Sequence, residues 1–343
     1  MASRASMMSR CFLWFTCPVP SHAPGDPTPR AWRSRGAGTL RAVRTERRRV
    51  GDLELELLEA GEGGRPLLLV HGFTGAKEDF GDWIDAFAAE GWWVVAPDLR
   101  GHGASDQPVG EGAYSFRTFA DDLLALADLL GWERFCLLGH SMGGMVAQEL
   151  VLQDPHRVER LVLMDTCHGP VQGIDPDTVA VGVEIIRTQG LAALVELLAS
   201  LPQAPRAPSD AALRASRPGY AEFADAKVHR CSGDMYAAMA QRFASRRDRL
   251  VELATLAMPV QVVVGDEDEG FLAPSRAMAE AIDGARLAVI RAAAHSPQFE
   301  SPELWWEAVS SFLGAELPTT PAAPSATPAR APSRRARRSR PPR

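Results

Sequence analysis

Ser141 stands in Gly139-His140-Ser141-Met142-Gly143, a G-x-S-x-G run. The apolar stretch Phe135-Cys136-Leu137-Leu138 leads into it, and a helix-like stretch from Met142 to Leu152 leads out. This context predicts a sharp strand-to-helix turn that lifts the serine hydroxyl off the end of a sheet. Glycines at both outer positions relieve crowding in such a turn and tolerate strained dihedrals. A serine so placed is a candidate nucleophile. Taken alone, the same five residues also fit an ordinary strand-to-helix turn.

A serine hydroxyl needs a base to take its proton at neutral pH. Histidine suits that work, and a carboxylate behind it fixes the tautomer and stabilises the imidazolium. Both residue types follow in the chain, each after a strand-like run. The Val-rich run 260–264 leads into Gly265-Asp266-Glu267-Asp268-Glu269, and the run 287–290 precedes Ala294-His295-Ser296-Pro297. The carboxyl ends of strands are where open α/β sheets collect functional groups. His295 is the expected base, better placed than His102 in Asp98-Leu99-Arg100-Gly101-His102-Gly103. The acidic cluster leaves the choice of carboxylate open. Upstream, Leu67-Leu68-Leu69-Val70 ends in His71-Gly72-Phe73-Thr74-Gly75. The backbone N–H groups of Phe73 and Met142 would form a two-donor oxyanion hole, each donor worth about 3–4 kcal/mol.

Together, His71-Gly72-Phe73, the 98–103 turn, Gly139 to Gly144, Gly265 to Asp268, and His295 with Pro297 and Glu300 behind it resemble the α/β-hydrolase superfamily in its cap-bearing branch. The resemblance runs from about residue 43 to 314. It implies Ser141 as nucleophile, His295 as base and Asp268 as acid, from the spacing after the strand glycine. Asp266 is the main rival, and Asp165 another, because some members take the acid from that strand. The chemistry implied is hydrolysis of a small carboxylic ester or lactone through an acyl-serine. The alternative keeps the same three residues but cleaves a carbon–carbon bond in a diketone, or eliminates pyruvate as in menaquinone synthesis. Relatives of the latter type carry an arginine just after the elbow glycines, where this chain has Met145. Serine rather than aspartate at 141 argues against the dehalogenase and epoxide-hydrolase branches. A perhydrolase and a non-catalytic binding protein on the same fold are the remaining readings.

The elements that must position these residues are legible as runs. A hairpin from Arg47 to Glu59, turning at Gly51-Asp52, opens a sheet. Six mostly apolar strands follow near 66–70, 92–96, 135–139, 160–164, 259–264 and 286–290, as strands buried on both faces read. The expected fold is α/β: a mostly parallel eight-stranded sheet with helices on both faces and an inserted helical cap. The core is expected at 43–166 and 257–314. The cap, at 167–256, shows helical runs at 179–186, 191–201 and 235–243. Tyr220, Phe223, Tyr236, Met239 and Phe243 are candidate pocket residues. Arg187, Arg206, Arg214 and Arg217 are candidate holders of a substrate carboxylate, although solvated helix faces are the simpler reading of them.

Charge divides the 343-residue chain. Residues 1–42 carry +5 and residues 315–343 carry +6, which leaves −17 on the middle of a chain whose net charge is −6. A disordered basic leader at 1–42 and a disordered Pro/Ala/Arg tail at 315–343 are expected. No aromatic residue interleaves the arginines after Phe312, so no nucleic-acid partner is expected. No apolar run approaches the roughly 18 residues of a spanning helix, so no stable membrane insertion is expected. The leader faintly resembles a signal or transit segment, and the expected location is the cytoplasm. Neither a P-loop nor a strand-borne G-x-G-x-x-G occurs, and no C-x-x-C or EF-hand spacing, so no cofactor and no metal are expected. The expected partner is a small-molecule substrate, with a homodimer left open. The absence of any Asn removes N-glycosylation.

Overall fold

The structure, a computed structural model, describes residues 43–315. The expectations for the leader at 1–42 and for the tail beyond residue 315 lie outside the described residues.

The chain opens as a hairpin. Strands β1 (Arg44–Val50) and β2 (Leu53–Ala60) pair antiparallel across a two-residue turn in which Gly51 takes φ 58°. Tight hairpin loops require such positive φ. The strands that follow are β3 (Arg65–Val70), β4 (Trp92–Pro97), β5 (Phe135–His140), β6 (Val158–Met164), β7 (Val260–Gly265) and β8 (Arg286–Ile290). All eight form one sheet in the order β1-β2-β4-β3-β5-β6-β7-β8. Pairing is parallel from β4 to β8, and β2 is antiparallel to both of its neighbours.

Alternation along the strands sends side chains to opposite faces. Leu68, Val70, Leu137 and Leu163 join Phe119, Leu123 and Leu126 of α2 (Phe116–Leu129) and Val146 and Leu150 of α3 (Met142–Gln153). On the other face Leu67, Leu69, Leu138 and Met164 join Phe87 of α1 (Ile84–Ala89) and Trp305, Val309 and Phe312 of α12 (Pro302–Gly314). Helices therefore cover both faces, and the central strands β3, β5 and β7 are buried apart from the first two residues of β3. β8 departs from the expectation of full burial. It is an edge strand whose Leu287 and Val289 are 38% and 36% exposed. An apolar run does not by itself distinguish an edge from the centre of a sheet.

Between β6 and β7 the chain makes six α-helices and no strand: α4 (Pro176–Gln189), α5 (Leu191–Ser200), α6 (Pro208–Ser216), α7 (Tyr220–Ala226), α8 (Gly233–Ser245) and α9 (Leu250–Leu253). The Asp175 carboxylate accepts the Thr178 N–H at 2.9 Å to start α4, and Ser232 Oγ accepts the Met235 N–H at 3.3 Å to start α8. The three helical runs read from the sequence are α4, α5 and α8. Helices α6 and α7 went unread because they are short and α6 is polar overall; no residue of α6 is buried. Three helices follow in the core: α10 (Glu269–Ala281) after β7, and the single turn α11 (Pro297–Glu300) and then α12 after β8. No helix among the described residues is long and apolar enough to cross a membrane.

Candidate active site

β5 passes into α3 through Ser141, whose φ of 53° and ψ of −116° are strained for any residue with a Cβ. Several bonds hold that strain. The Ser141 N–H donates to the Met164 carbonyl at 2.8 Å, and its own carbonyl accepts from Thr166 Oγ1 at 2.8 Å and from the Gly144 N–H at 2.9 Å. The flanking glycines are required by close approach. A Cβ at Gly139 would lie 2.3 Å from the Gly143 carbonyl oxygen, and one at Gly143 would lie 2.3 Å from that of Val70. A strained serine at a helix N-terminus is thus held by its own turn together with β3 and the end of β6.

The three residues expected to act together are together. Asp268 Oδ2 lies 2.7 Å from His295 Nδ1, and His295 Nε2 lies 2.9 Å from Ser141 Oγ. A carboxylate only accepts, so Nδ1 carries the proton and Nε2 is free to accept from the serine hydroxyl. Asp268 and Ser141 are buried, whereas a third of the His295 side chain stays accessible. Burial opposes charge on His295, but the adjacent Asp268 carboxylate more than offsets it, and the imidazole pKa lies above its ordinary value. Of the rivals, Asp266 makes a weak 3.4 Å contact with the Ala293 N–H. Asp165 is fully buried beside Asp268 and accepts the Gly265 N–H at 2.9 Å.

The 71–75 turn lies against the elbow. A Cβ on Gly72 would sit 3.1 Å from Ser141 Cβ, which brings the backbone of Phe73 beside the serine. The Met142 N–H belongs to the first turn of α3 and meets no acceptor among the described residues. Behind this turn, His71 donates from Nδ1 to the Gly72 carbonyl at 2.8 Å and accepts the Leu99 N–H on Nε2 at 3.0 Å. His102 packs edge-on against His71, and burial holds it neutral with a pKa of about 3. Its Nδ1 is engaged with the Arg100 carbonyl, so it braces the turn and does not reach the serine.

Sequence reasoning missed His140, the residue between the glycine and the serine. Its Nε2–H donates to the His295 carbonyl at 2.7 Å, across 155 residues of chain. It also missed Phe271, whose ring lies 4.9 Å from that of His295. Glu300 accepts the N–H groups of Ala294 at 2.6 Å and Ser296 at 3.2 Å, bracketing His295. No spacing rule announces such long-range contacts; only the resemblance pointed to Glu300.

The candidate pocket residues divide into two groups. The ring of Tyr236 lies 4.6 Å and that of Phe243 5.0 Å from Phe73, beside the elbow. Met239 is wholly buried on the same helix. Tyr220 and Phe223 pack on Phe299 instead, at 5.3 and 6.2 Å. A cavity of about 300 Å³ opens between the 167–172 segment and α10, with Phe271 in its wall and no Lys or Arg among its lining residues. The four cap arginines are engaged elsewhere: Arg187 with Glu111, Arg206 with Asp210, Arg214 with Asp210 and Asp225, and Arg217 with Asp82. They brace the cap, and the expectation that they could hold a substrate carboxylate gives way to these pairs.

Comparison with known proteins agrees with this fold. Residues 65–302 match the family described as alpha/beta hydrolase fold. A 3-oxoadipate enol-lactonase 2 from Acinetobacter baylyi is 27% identical over 271 residues, covering 76% of this chain and 94% of the relative. A fluoroacetate dehalogenase from Burkholderia sp is 39% identical over a shorter 121 residues, 34% of this chain and 38% of that one. The structure of a thermophilic esterase from Thermogutta terrifontis superimposes with a TM-score of 0.65 at 26% identity, over 79% of this chain and 98% of that one.

Proposed function

The chain belongs to the α/β-hydrolase fold family, and from that premise we propose that it is a serine hydrolase that cleaves a small carboxylic ester or lactone. The observation that carries the reading is the unbroken line from Asp268 Oδ2 to His295 Nδ1 at 2.7 Å and from His295 Nε2 to Ser141 Oγ at 2.9 Å. Ser141 attacks the substrate carbonyl as His295 takes its proton. Asp268 stabilises the imidazolium. The Met142 and Phe73 amides hold the oxyanion of the tetrahedral intermediate. His295 then hands the proton to the leaving alkoxide, leaving an acyl-serine. Water attacks that ester by the same steps in reverse order.

The names of an enol-lactonase and an esterase among the relatives support an ester bond as the target. The dehalogenase likeness points elsewhere only in name. A serine oxygen that displaced a halide would form an ether, which water does not open, whereas a carboxylate nucleophile leaves a hydrolysable ester. Tyr236, Met239 and Phe243 form the cap-side wall near the elbow, with Tyr220 and Phe223 further out toward Phe299. The engagement of the cap arginines in ion pairs favours an uncharged substrate.

Treatment with a fluorophosphonate, followed by peptide mass spectrometry, is the direct test. Labelling at Ser141, with turnover of p-nitrophenyl acetate or a simple lactone, is the expected result. Folded protein that takes no label, or one that turns over a ring-cleavage diketone and no ester, would sink the reading.

A further inference from the structure

β6 and β7 run side by side, and the chain just beyond each supplies a buried aspartate to one histidine. Asp165 is wholly inaccessible and adopts φ 45°, a region costly for a residue with a Cβ. It is pinned there by its N–H to the Val263 carbonyl at 2.9 Å and by the Gly265 N–H to its Oδ1 at 2.9 Å. Its second oxygen, Oδ2, is buried and meets no donor among the described residues. A carboxyl oxygen of Asp165, one of Asp268 and a ring nitrogen of His295 all lie within 4.8 Å of one another.

Two ionised carboxylates this close, shut off from water, repel each other strongly, and an acceptor left bare in such a place is costly in itself. One proton removes both costs. Placed on Asp165 Oδ2, it turns an orphaned acceptor into a donor, and the acceptor within reach is Asp268. We propose that Asp165 and Asp268 hold one proton between them, carried on Asp165, and that the neutral Asp165 is a positioning residue that keeps the Asp268 carboxylate aimed at His295. The role in turnover rests on the serine-hydrolase reading above; the location of the proton does not.

The groups facing Asp165 are Asp268 from the loop after β7, His295 from the loop after β8 and Glu300 from α11. Only His295 among them can carry positive charge, and its Nδ1 is already given to Asp268. Burial, and then the charge on Asp268, push the Asp165 carboxyl well above the usual range. The strained backbone thus presents an acid that remains neutral while its neighbour remains charged.

Two variants and two readouts test this. At pH 8, above the value of about 7 to which burial raises Glu300, the infrared difference spectrum of wild type minus Asp165→Asn should contain the C=O stretch of a protonated carboxyl. In turnover of p-nitrophenyl acetate, Asp165→Ala should lower kcat at least about tenfold at unchanged KM. Asp165→Asn, which still offers an N–H to Asp268, should restore kcat to within about threefold of wild type, with the acid limb of the pH profile in place. Absence of the infrared band overturns the proposal. So does an acid limb that drops by about one unit in Asp165→Asn, the mark of a lost negative charge. An Asp165→Ala variant with wild-type kcat overturns it as well. If wild type turns over no ester and takes no fluorophosphonate, the hydrolase reading falls instead, and the infrared band still decides where the proton is.

Discussion

The nucleophile elbow and the cap meet at Phe73, and they are held by different forces. Around Ser141 the contacts are hydrogen bonds, most of them between backbone groups, and close glycine-to-carbonyl approaches, several of them reaching across to Val70, Met164 and Thr166. The cap reaches the core partly through apolar packing of Tyr236 and Phe243, and partly through ion pairs such as Lys227–Asp79, Arg217–Asp82 and Arg187–Glu111. Backbone bonds in a close-packed turn fix atoms to fractions of an ångström. Surface pairs between long side chains hold far less tightly and are screened by salt. On the proposed reading, the chemistry sits in the rigid region and the fit to a particular substrate falls to the adjustable one.

The largest effect should come from the rigid side. Ser141→Ala should lower kcat by about 10⁴-fold or more, the usual cost of removing a nucleophile of this type. It should barely change the melting temperature, because its backbone bonds remain. Steady-state kinetics beside a thermal melt check both halves. Residual activity above about one per cent would mean that another group attacks the substrate.

Gly143→Ala strikes the same region through packing. The new Cβ would have to share space with the Val70 and His71 carbonyl oxygens, at 2.3 and 2.5 Å, and neither is a flexible side-chain end. We expect a loss of about 3 kcal/mol or more in a urea melt, or failure to accumulate folded protein. A cost under about 1 kcal/mol would show the elbow to be softer than its contacts imply.

Cap tethers should behave otherwise. Lys227 pairs with Asp79, whose side chain is 5% exposed, so Lys227→Met leaves a carboxylate poorly solvated and loosens α7 from the core. KM for an ester should rise about three- to tenfold while kcat changes less than about twofold, because the elbow is untouched. Arg217→Met, at a pair whose members are 26% and 22% exposed, should do less. Equal losses in kcat and KM would erase the contrast between the two regions.

The same contrast explains what was legible in the sequence. The elbow, the hairpin at Gly51-Asp52 and the 71–75 turn announce themselves because their causes are local: a glycine, a turn, a change of period. The three residues of the hydrogen-bonded line could be named from chain order and resemblance. How Asp165 stands to Asp268 could not, because the whole cap lies between them in sequence and only the pairing of β6 with β7 joins them. The pairing of Arg187 and Arg217 could not be read because their partners, Glu111 and Asp82, lie 76 and 135 residues away, whereas Asp210 stands at helical spacing from both Arg206 and Arg214. The short polar helix α6 carries few apolar residues and buries none, and the Glu267 carboxylate of the core accepts its Ser209 N–H at 2.8 Å, a contact 58 residues away in sequence.

The smallest expected effect lies at the seam, in Glu300. Its carboxylate takes the two N–H groups that bracket His295, yet burial raises its pKa to about 7 from an ordinary 4.5. An acid whose folded pKa is raised favours the folded state while protonated. Its contribution is full below pH 4.5, declines up to about pH 7 and stays lost above that. At most about 3 kcal/mol is involved. His295, also raised, acts in the same direction, with its contribution lost as pH climbs through its folded value. The melting temperature should therefore fall between about pH 5 and 8. Glu300→Gln keeps an oxygen for the two N–H groups and removes the titration, so that fall should become shallower, with kcat reduced less than about threefold. Differential scanning fluorimetry across this pH range reads the slope directly. An unchanged slope would assign the fall to the His295 imidazole and not to the Glu300 carboxyl, since Glu300→Gln leaves His295 and its Asp268 partner in place.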